Sequence, residues 1–325
     1  MHPSVAVVLP TFNEEAFIDS CLGSLAAQDY PGPVEVLVAD GRSTDATRKL
    51  VERWSDRMNV RVVDNPQRVQ SEGLWLAALA TNAEILVRAD AHTTYASDYV
   101  RRSVEVLDET NAAAVGGQMV PAAPSAFGRS VARVMRTPLG VGPAAFHHDG
   151  PRQEVDTVYL GAFRRQTFLD LGGMRTFPSR VAEDADFYWR MRRAGGRVVL
   201  DPTIRSVYRP RETWRRLARQ FMNYGRGKAD MLFVNGVWPS WRPLAPLLLV
   251  LGIVFGLLLG AGGVWWPLLA LVGAWLLVLA IAARGRPLDL VVAGTMHLAY
   301  GFGLLAGLFR SPARVRAQVV SRSAP

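Results

Sequence analysis

Four acidic residues, at three separated places, stand where carboxylate chemistry would want them. Glu183 and Asp184 sit together in Val181-Ala-Glu-Asp-Ala-Asp-Phe-Tyr-Trp-Arg190, and Asp40 and Asp90, far upstream, each end an apolar, strand-like run. Carboxylates so placed can hold a divalent cation against a diphosphate or take a proton from an attacking hydroxyl. Asp184 falls in the first turn of an expected helix, where the macrodipole favours the ionised form that a general base requires. Capping that helix is the alternative role for Glu183-Asp184. Shaping the next turn is the alternative for Asp40 and Asp90, and it weakens when two strand ends agree.

The elements that must carry these residues alternate in the first hundred positions. Val5–Leu9, Val34–Ala39, Val60–Val63 and Glu84–Ala89 are short, β-branched runs of strand length. Helical patterns lie between them at about Glu14–Gln28, Asp45–Arg57 and Val69–Ala80. Such alternation predicts a parallel sheet of right-handed βαβ units with ligands beyond the strands' carboxyl ends, where Asp40 and Asp90 fall. Pro10-Thr-Phe-Asn-Glu-Glu15 follows the first strand without a glycine, which argues against a dinucleotide fingerprint or a P-loop. The stretch from Ala112 to Pro151 reads as a long Gly/Pro/Ala-rich connection. Gly140-Val-Gly142 and Gly225-Arg-Gly227 read as turns. His147-His148 reads as structural or acceptor-facing in preference to a metal pair. A strand and short helix are expected over Asp156–Leu171, then a helix over Glu183–Ala194 stopped by Gly195-Gly196. Thr213–Tyr224 reads as a basic amphipathic helix lying along a membrane interface.

Charge and hydropathy divide the chain. The net charge of +9 hides residues 1–110, which carry 10 Lys/Arg against 17 Asp/Glu. Asp201–Arg242 carries nine basic residues against three acidic ones, directly before a long apolar stretch. A basic cluster there suits anionic headgroups or a phosphorylated substrate, and no nucleic acid is expected. Between Pro243 and Phe309 the only charged residues are Arg284, Arg286 and Asp289, and about 244–262, 264–282 and 288–309 are long enough to span hydrocarbon. Trp238 and Trp241, then Trp265-Trp266, fit interfacial aromatic belts. Gly252-x3-Gly256-x3-Gly260 and Gly303-x3-Gly307 offer small-residue faces for helix packing. The N-terminus is expected to carry no signal peptide, and the single Cys21 suits a reducing compartment. The expected organisation is a catalytic domain at 1–235, including the basic helix at about 212–228, a membrane domain at 243–309, and a basic tail at 310–325. A third span would put Arg310, Arg314, Arg316 and Arg322 outside, against the positive-inside rule; a re-entrant or interfacial third segment would remove that conflict.

Taken together, Val7-Val-Leu-Pro-Thr-Phe-Asn-Glu-Glu15, Val38-Ala-Asp-Gly-Arg-Ser-Thr-Asp-Ala-Thr47, Arg88-Ala-Asp-Ala-His92, Gly161-Ala-Phe-Arg-Arg165, Gly172-Gly173, Glu183-Asp184 and Gln220-x3-Tyr-Gly-Arg226 resemble the family 2 inverting glycosyltransferases, in order, over roughly residues 4–230. The subgroup most resembled is the succinoglycan-type exopolysaccharide glucosyltransferases. The resemblance implies a GT-A fold, a Rossmann-like α/β nucleotide-diphospho-sugar transferase domain, followed by C-terminal transmembrane helices. It implies nucleotide-sugar contacts from Pro10, Thr11, Phe12, Glu14, Arg68, Arg88 and Ala89, base reading by Asp40, and a Mg²⁺ or Mn²⁺ cofactor on Asp90 with His92 as a candidate ligand. Asp184 matches the catalytic base, and Gly161, Glu183, Gln220, Tyr224 and Arg226 fall near the diphosphate and acceptor. Arg88 replaces the first acid of Asp-x-Asp, so Arg88 could itself neutralise phosphate charge. Gly41 and Arg42 replace the second Asp and the Gly of the base-binding turn. Asn223-Tyr224 replaces the Arg-Trp of processive synthases, which argues for a single sugar addition.

The implied activity is transfer of one sugar from a nucleotide-diphosphate sugar, a UDP-hexose by expectation, to a lipid-linked or saccharide acceptor in envelope or exopolysaccharide synthesis. The expected setting is a multi-pass protein of the inner membrane, in contact with membrane lipids, with its catalytic domain cytoplasmic. A nucleotide-sensing or scaffolding membrane protein and a metal-dependent nucleotidyltransferase are the alternatives. Free nucleoside diphosphate as product separates them.

Overall fold

The computed structural model describes residues 2–142, 144–237 and 243–322; Trp238 and Trp241 lie outside the described residues. Nine strands form one mixed sheet: β1 Val5–Thr11, β2 Val34–Asp40, β3 Val60–Asp64, β4 Ile85–Arg88, β5 Thr93–Tyr95, β6 Ala114–Pro121, β7 Gln153–Glu154, β8 Tyr159–Arg164 and β9 Val198–Tyr208. Their order is β3-β2-β1-β4-β8-β6-β9-β5, with β7 paired to β9. The first four are parallel as the alternation predicts, and β8 then enters antiparallel between β4 and β6. Val5–Leu9 is buried on both faces, which is why it reads as a continuous apolar run with no alternation.

Helices α1 Ile18–Ala26, α2 Thr47–Glu52, α3 Gln70–Leu79, α4 Tyr99–Thr110, α5 Ala126–Met135, α6 Pro138–Val141, α7 Arg165–Asp170 and α8 Glu183–Arg193 cover the sheet. Two apolar layers result: Ile18, Leu22, Val100 and Leu107 pack on one side, and Leu74, Phe168, Phe187 and Met191 on the other.

The expected long connection from Ala112 to Pro151 is instead β6, α5 and α6. Gly116 and Gly117 obscured the strand, and both are there for space. The β6–β9 register shifts between Gly116 and Gln118, and a Cβ on Gly117 would collide with the Ile204 carbonyl. Gly225 and Gly227, expected as a turn, lie inside α9 Trp214–Asn235, a longer helix than the basic stretch suggested. A Cβ at Gly225 would strike the Tyr300 and Gly303 backbone, and one at Gly227 would press on Val181 and Ala182. Glycine there lets two segments approach α9 closely, an advantage that outweighs its poor helix propensity.

The apolar stretch forms α10 Leu244–Ala261, α11 Trp266–Ala283 and α12 Pro287–Leu308, and α13 Pro312–Gln318 follows. All of α10, α11 and α12 are long and apolar enough to cross a membrane. The small-residue faces pack as expected: Gly252 and Gly256 against Leu271 and Leu268, and Gly303 and Gly307 against Met222 and Ala229 of α9.

Candidate active site

The parallel register sets Thr11 beside Asp40 and Asp40 beside Asp64 at the carboxyl ends of β1, β2 and β3. Asp40 is buried, and its oxygens accept from Ser43 N (3.0 Å) and Ser43 Oγ (2.6 Å) while Arg48 Nε stands 3.2 Å away. In this state Asp40 orders the turn after β2. Arg42 leaves that turn to bond Asp64 at 3.0 Å. Over the turn sits Phe12, 41% exposed, with the Arg68 guanidinium 4.9 Å from its ring centre. An aromatic face and a cation side by side suit a flat base and its ribose phosphate.

Beyond β1 the chain ends β4 with Arg88-Ala89-Asp90. Asp90 accepts from Gln70 Nε2 at 3.1 Å, and its amide donates to the Tyr95 hydroxyl at 2.7 Å. Arg88 is buried, stands 3.8 Å from Asp90, and has no partner for its Nε among the described residues. Although burial alone would lower it, the Asp90, Asp184 and Glu183 charges raise the Arg88 pKa above its ordinary value. Arg88 is therefore the cation on which the separated acids converge. Asp90 is ion-paired with it and the Glu183-Asp184 charges act on it through space, while Asp40 stands apart, across β1.

Glu183 and Asp184 open α8, whose acidic first turn and basic last turn both suit its dipole. Burial, then the Asp184 charge, raises the Glu183 carboxyl, so Glu183 is held towards its neutral form while Asp184 remains half-buried beside it. Asp184 Oδ1 accepts from Ala185 N at 2.7 Å. Two buried carboxylates that no motif singled out hold this helix in place. Asp186 bonds Arg190 Nε (2.9 Å) and Asn235 Nδ2 (3.0 Å), and Arg190 reaches the carbonyls of Leu171 and Gly173. Asp230 of α9 accepts from Ser179 N at 3.0 Å and pairs with Arg310 at 2.9 Å, fixing the loop before the base. Their burial beside arginines is the signal, and it is invisible until the fold brings the partners together.

Other expected residues fall at varied distances from the chemistry. Pro10 is the penultimate residue of β1, paired with Ala39 of β2. Burial, partly offset by Arg211, pushes Glu14 up to about 7, with Asp90 and Asp45 adding to the rise. His92 packs edge-on to Tyr208 at 5.6 Å, and burial lowers its pKa. Gln220 Nε2 donates to Tyr224 Oη at 2.8 Å, and Tyr224 feels the Asp184 charge. Arg226 is exposed, with its backbone against Gly307. Gly161, at φ +104°, makes room for the Tyr188 hydroxyl, which bonds the Leu160 carbonyl at 2.7 Å, so its role is to seat α8 on the sheet. Arg211 was missed. It lies within electrostatic reach of Glu14, His92 and Tyr224, and only the end of β9 brings it there.

No group of three His, Cys, Asp or Glu suited to a metal occurs among the described residues. Asp90 offers one carboxylate, and Arg88 stands where a second would be. Magnesium is commonly held by one or two carboxylates with substrate phosphates completing its shell, so the donor set fits a cation that arrives with a diphosphate.

A mixed sheet with carboxylates and cations gathered at its parallel strand ends, and an acid pair opening a facing helix, defines a GT-A nucleotide-sugar transferase. The profile of glycosyl transferase family 2 matches residues 6–171, and the chain belongs to that family. It is 31% identical to the succinoglycan biosynthesis protein ExoA of Rhizobium meliloti (strain 1021), covering 92% of this chain and 93% of that protein. It is 24% identical to the dolichyl N-acetyl-alpha-D-glucosaminyl phosphate 3-beta-D-2,3-diacetamido-2,3-dideoxy-beta-D-glucuronosyltransferase of Methanococcus voltae, covering 78% of this chain and 83% of that enzyme. Among solved structures it is similar in fold to the mannosyltransferase PcManGT from Pyrobaculum calidifontis, in complex with GDP-Man and Mn²⁺. That likeness has a TM-score of 0.63 and 22% identity over 95% of this chain and 88% of the other.

Proposed function

We propose that this enzyme transfers a single hexose, with inversion, from a nucleoside-diphosphate sugar to a lipid-linked saccharide, and that UDP-hexoses are its donors. The observation that carries the reading is the Arg88-centred cluster, in which Asp90 and the Glu183-Asp184 pair face one buried cation. Phe12 and Arg68 take the nucleoside, and the turn ordered by Asp40 shapes its cradle. Arg88 and Arg211 offset the diphosphate charge. A divalent cation held by Asp90 and the diphosphate, when bound, would stabilise the charge that develops on the leaving group.

In the chemical step Asp184 takes the acceptor hydroxyl proton as the oxygen bonds the anomeric carbon from the face opposite the diphosphate. The anomeric C–O bond breaks, and its electron pair leaves on the nucleoside diphosphate. Glu183, raised to about 7 by burial and then by the Asp184 charge, carries less negative charge near neutral pH than an ordinary carboxylate would beside the departing phosphates. A lipid-linked acceptor is supported by α9, which carries Gln220 and Tyr224 and packs along its length on the apolar α12. The dolichyl phosphate in the Methanococcus enzyme's name is consistent with it. We place the α/β body on the cytoplasmic face of the cell membrane, where nucleotide sugars are made. Membranes carrying the enzyme should release nucleoside diphosphate from one UDP-hexose only when lipid-linked saccharide is added. Release of pyrophosphate from a nucleoside triphosphate instead, or no turnover with any nucleotide sugar, would sink the reading.

A further inference from the structure

The hairpin of α10 and α11 is apolar throughout, and among the described residues its contacts with the rest of the chain lie from mid-α11 towards its open end. Leu247 and Val250 near the start of α10, and Leu279 and Ala283 near the end of α11, are buried. Towards the tip, Phe255, Leu257, Leu258, Trp265, Trp266 and Leu269 are exposed. Such an apolar projection, with Trp265-Trp266 at its turn, matches a pair of spans with an aromatic anchor on the far side.

α12 is built differently, being buried over half of its length where α10 and α11 are buried over 22% and 17%. It crosses the base of the hairpin: Gly301 lies against Pro246 and Val250, and Trp275 Nε1 donates to His297 Nδ1 at 3.2 Å. Both of its ends are tied to the α/β body. At the start, buried Asp289 accepts from Ser130 Oγ (2.6 Å) and Arg133 Nε (3.0 Å) of α5. Just past the end, Arg310 pairs with Asp230. Beyond that, Val320 exchanges backbone hydrogen bonds with Thr176 at 3.1 Å, and Arg322 pairs with Glu72 of α3.

A helix of 22 residues is about 33 Å long, close to the full hydrocarbon thickness of roughly 30 Å. If α12 spanned, its two ends would lie on opposite faces, and one water-soluble body could not hold both. We propose that the chain crosses the bilayer twice, through α10 and α11, while α12 lies at headgroup level on the side of the α/β body. This rests on the membrane reading above and adds its topology. The partner surface is an anionic leaflet. Val291, Phe302 and Phe309 are the exposed apolar residues of this layer, and Arg215, Arg216 and Arg219 at the start of α9 border it. Arg284, Arg286 and the four tail arginines then share one side, which removes the charge conflict that a third span creates.

The test uses the full chain in sealed vesicles of both orientations, with single substitutions Asp56→Cys on the body, Val264→Cys at the hairpin tip and Ser321→Cys in the tail. Native Cys21 is fully buried and gives little background. A membrane-impermeant maleimide should reach positions 56 and 321 from the same side and position 264 from the other. Labelling of 321 together with 264 in a chain that resists alkaline carbonate extraction overturns this topology and leaves the membrane reading standing. Release of the chain by carbonate overturns the membrane reading itself, and this proposal with it.

Discussion

Asp184→Asn separates the two jobs its carboxylate can do. Within the first turn of α8, Asp184 Oδ1 takes the Ala185 amide at 2.7 Å, and an intramolecular hydrogen bond is typically worth about 0.5–1.5 kcal/mol to stability. Asparagine keeps that acceptor; alanine does not. Losing the charge also takes one of three carboxylates from Arg88 and one like charge from Glu183, and these changes oppose each other. Proton abstraction needs the carboxylate itself and contributes roughly 10²–10⁴-fold, or about 2.7–5.4 kcal/mol of barrier at about 1.36 kcal/mol per decade. The barrier effect therefore exceeds the loss of that hydrogen bond, and the two read out separately. Asp184→Asn should lower kcat by two to four decades while melting and binding donor much as the parent does. Asp184→Ala should lose the same activity and also melt a few degrees lower. Labelled-sugar transfer in membranes gives kcat, and titration calorimetry in detergent gives donor affinity. Near-parental turnover by the asparagine variant would reduce Asp184 to a cap and remove the base from the mechanism.

Arg310→Met leaves buried Asp230 with Ser179 N but without its arginine; leaving a buried acceptor short of a partner costs about 1–3 kcal/mol, and the loss should appear as a lower thermal midpoint. Ending the chain at Phe309 removes the same contact together with the Val320–Thr176 and Arg322–Glu72 ties, so kcat should fall while donor affinity holds, a split that steady-state kinetics and calorimetry resolve. Gly303→Leu forces a side chain into the Met222 backbone; overpacking of this kind costs about 1–3 kcal/mol, and the melting curve should shift accordingly. The folded-state pKa of Glu14 is raised to about 7 from 4.5, so the folded protein binds more protons than the unfolded chain between those values and Glu14 costs stability as pH rises through that window. Glu14→Gln should thus gain thermal stability relative to the parent at pH 8 and show no gain at pH 4; equal differences at both pH values would contradict the burial of this carboxyl.

The first hundred residues were legible because β1, β2 and β4 are largely buried apolar runs, separated by helices that pack their apolar residues on the sheet. The carboxylates at β2 and β4 could be placed from that rhythm alone. β9 was not legible. Asp201-Pro202 interrupts its apolar run, and the chain tolerates them because the β6–β9 ladder is irregular at that point. β6 was hidden by the glycines that the same irregularity requires. At the candidate site, Glu183-Asp184 stood out among its neighbours in sequence, whereas Arg211 did not, since only the end of β9 carries it towards Glu14 and His92. Gly225 and Gly227 misled in an instructive way. Glycine pairs usually announce a turn, and here they record how closely α12 and the base loop approach one helix. The tail looked like a solvated basic run. Arg310 and Arg322 pair with Asp230 of α9 and Glu72 of α3, and Arg316 donates to the Phe233 carbonyl, contacts that no local pattern reveals.

The fastening of the loop before α8 by residues 310–322 makes that loop sensitive to events far away in sequence. Thr176 is held by Val320, and Ser179 by Asp230, which Arg310 in turn pairs. A proteolytic nick between positions 310 and 320 would therefore free the approach to α8 while leaving every strand of the sheet in place.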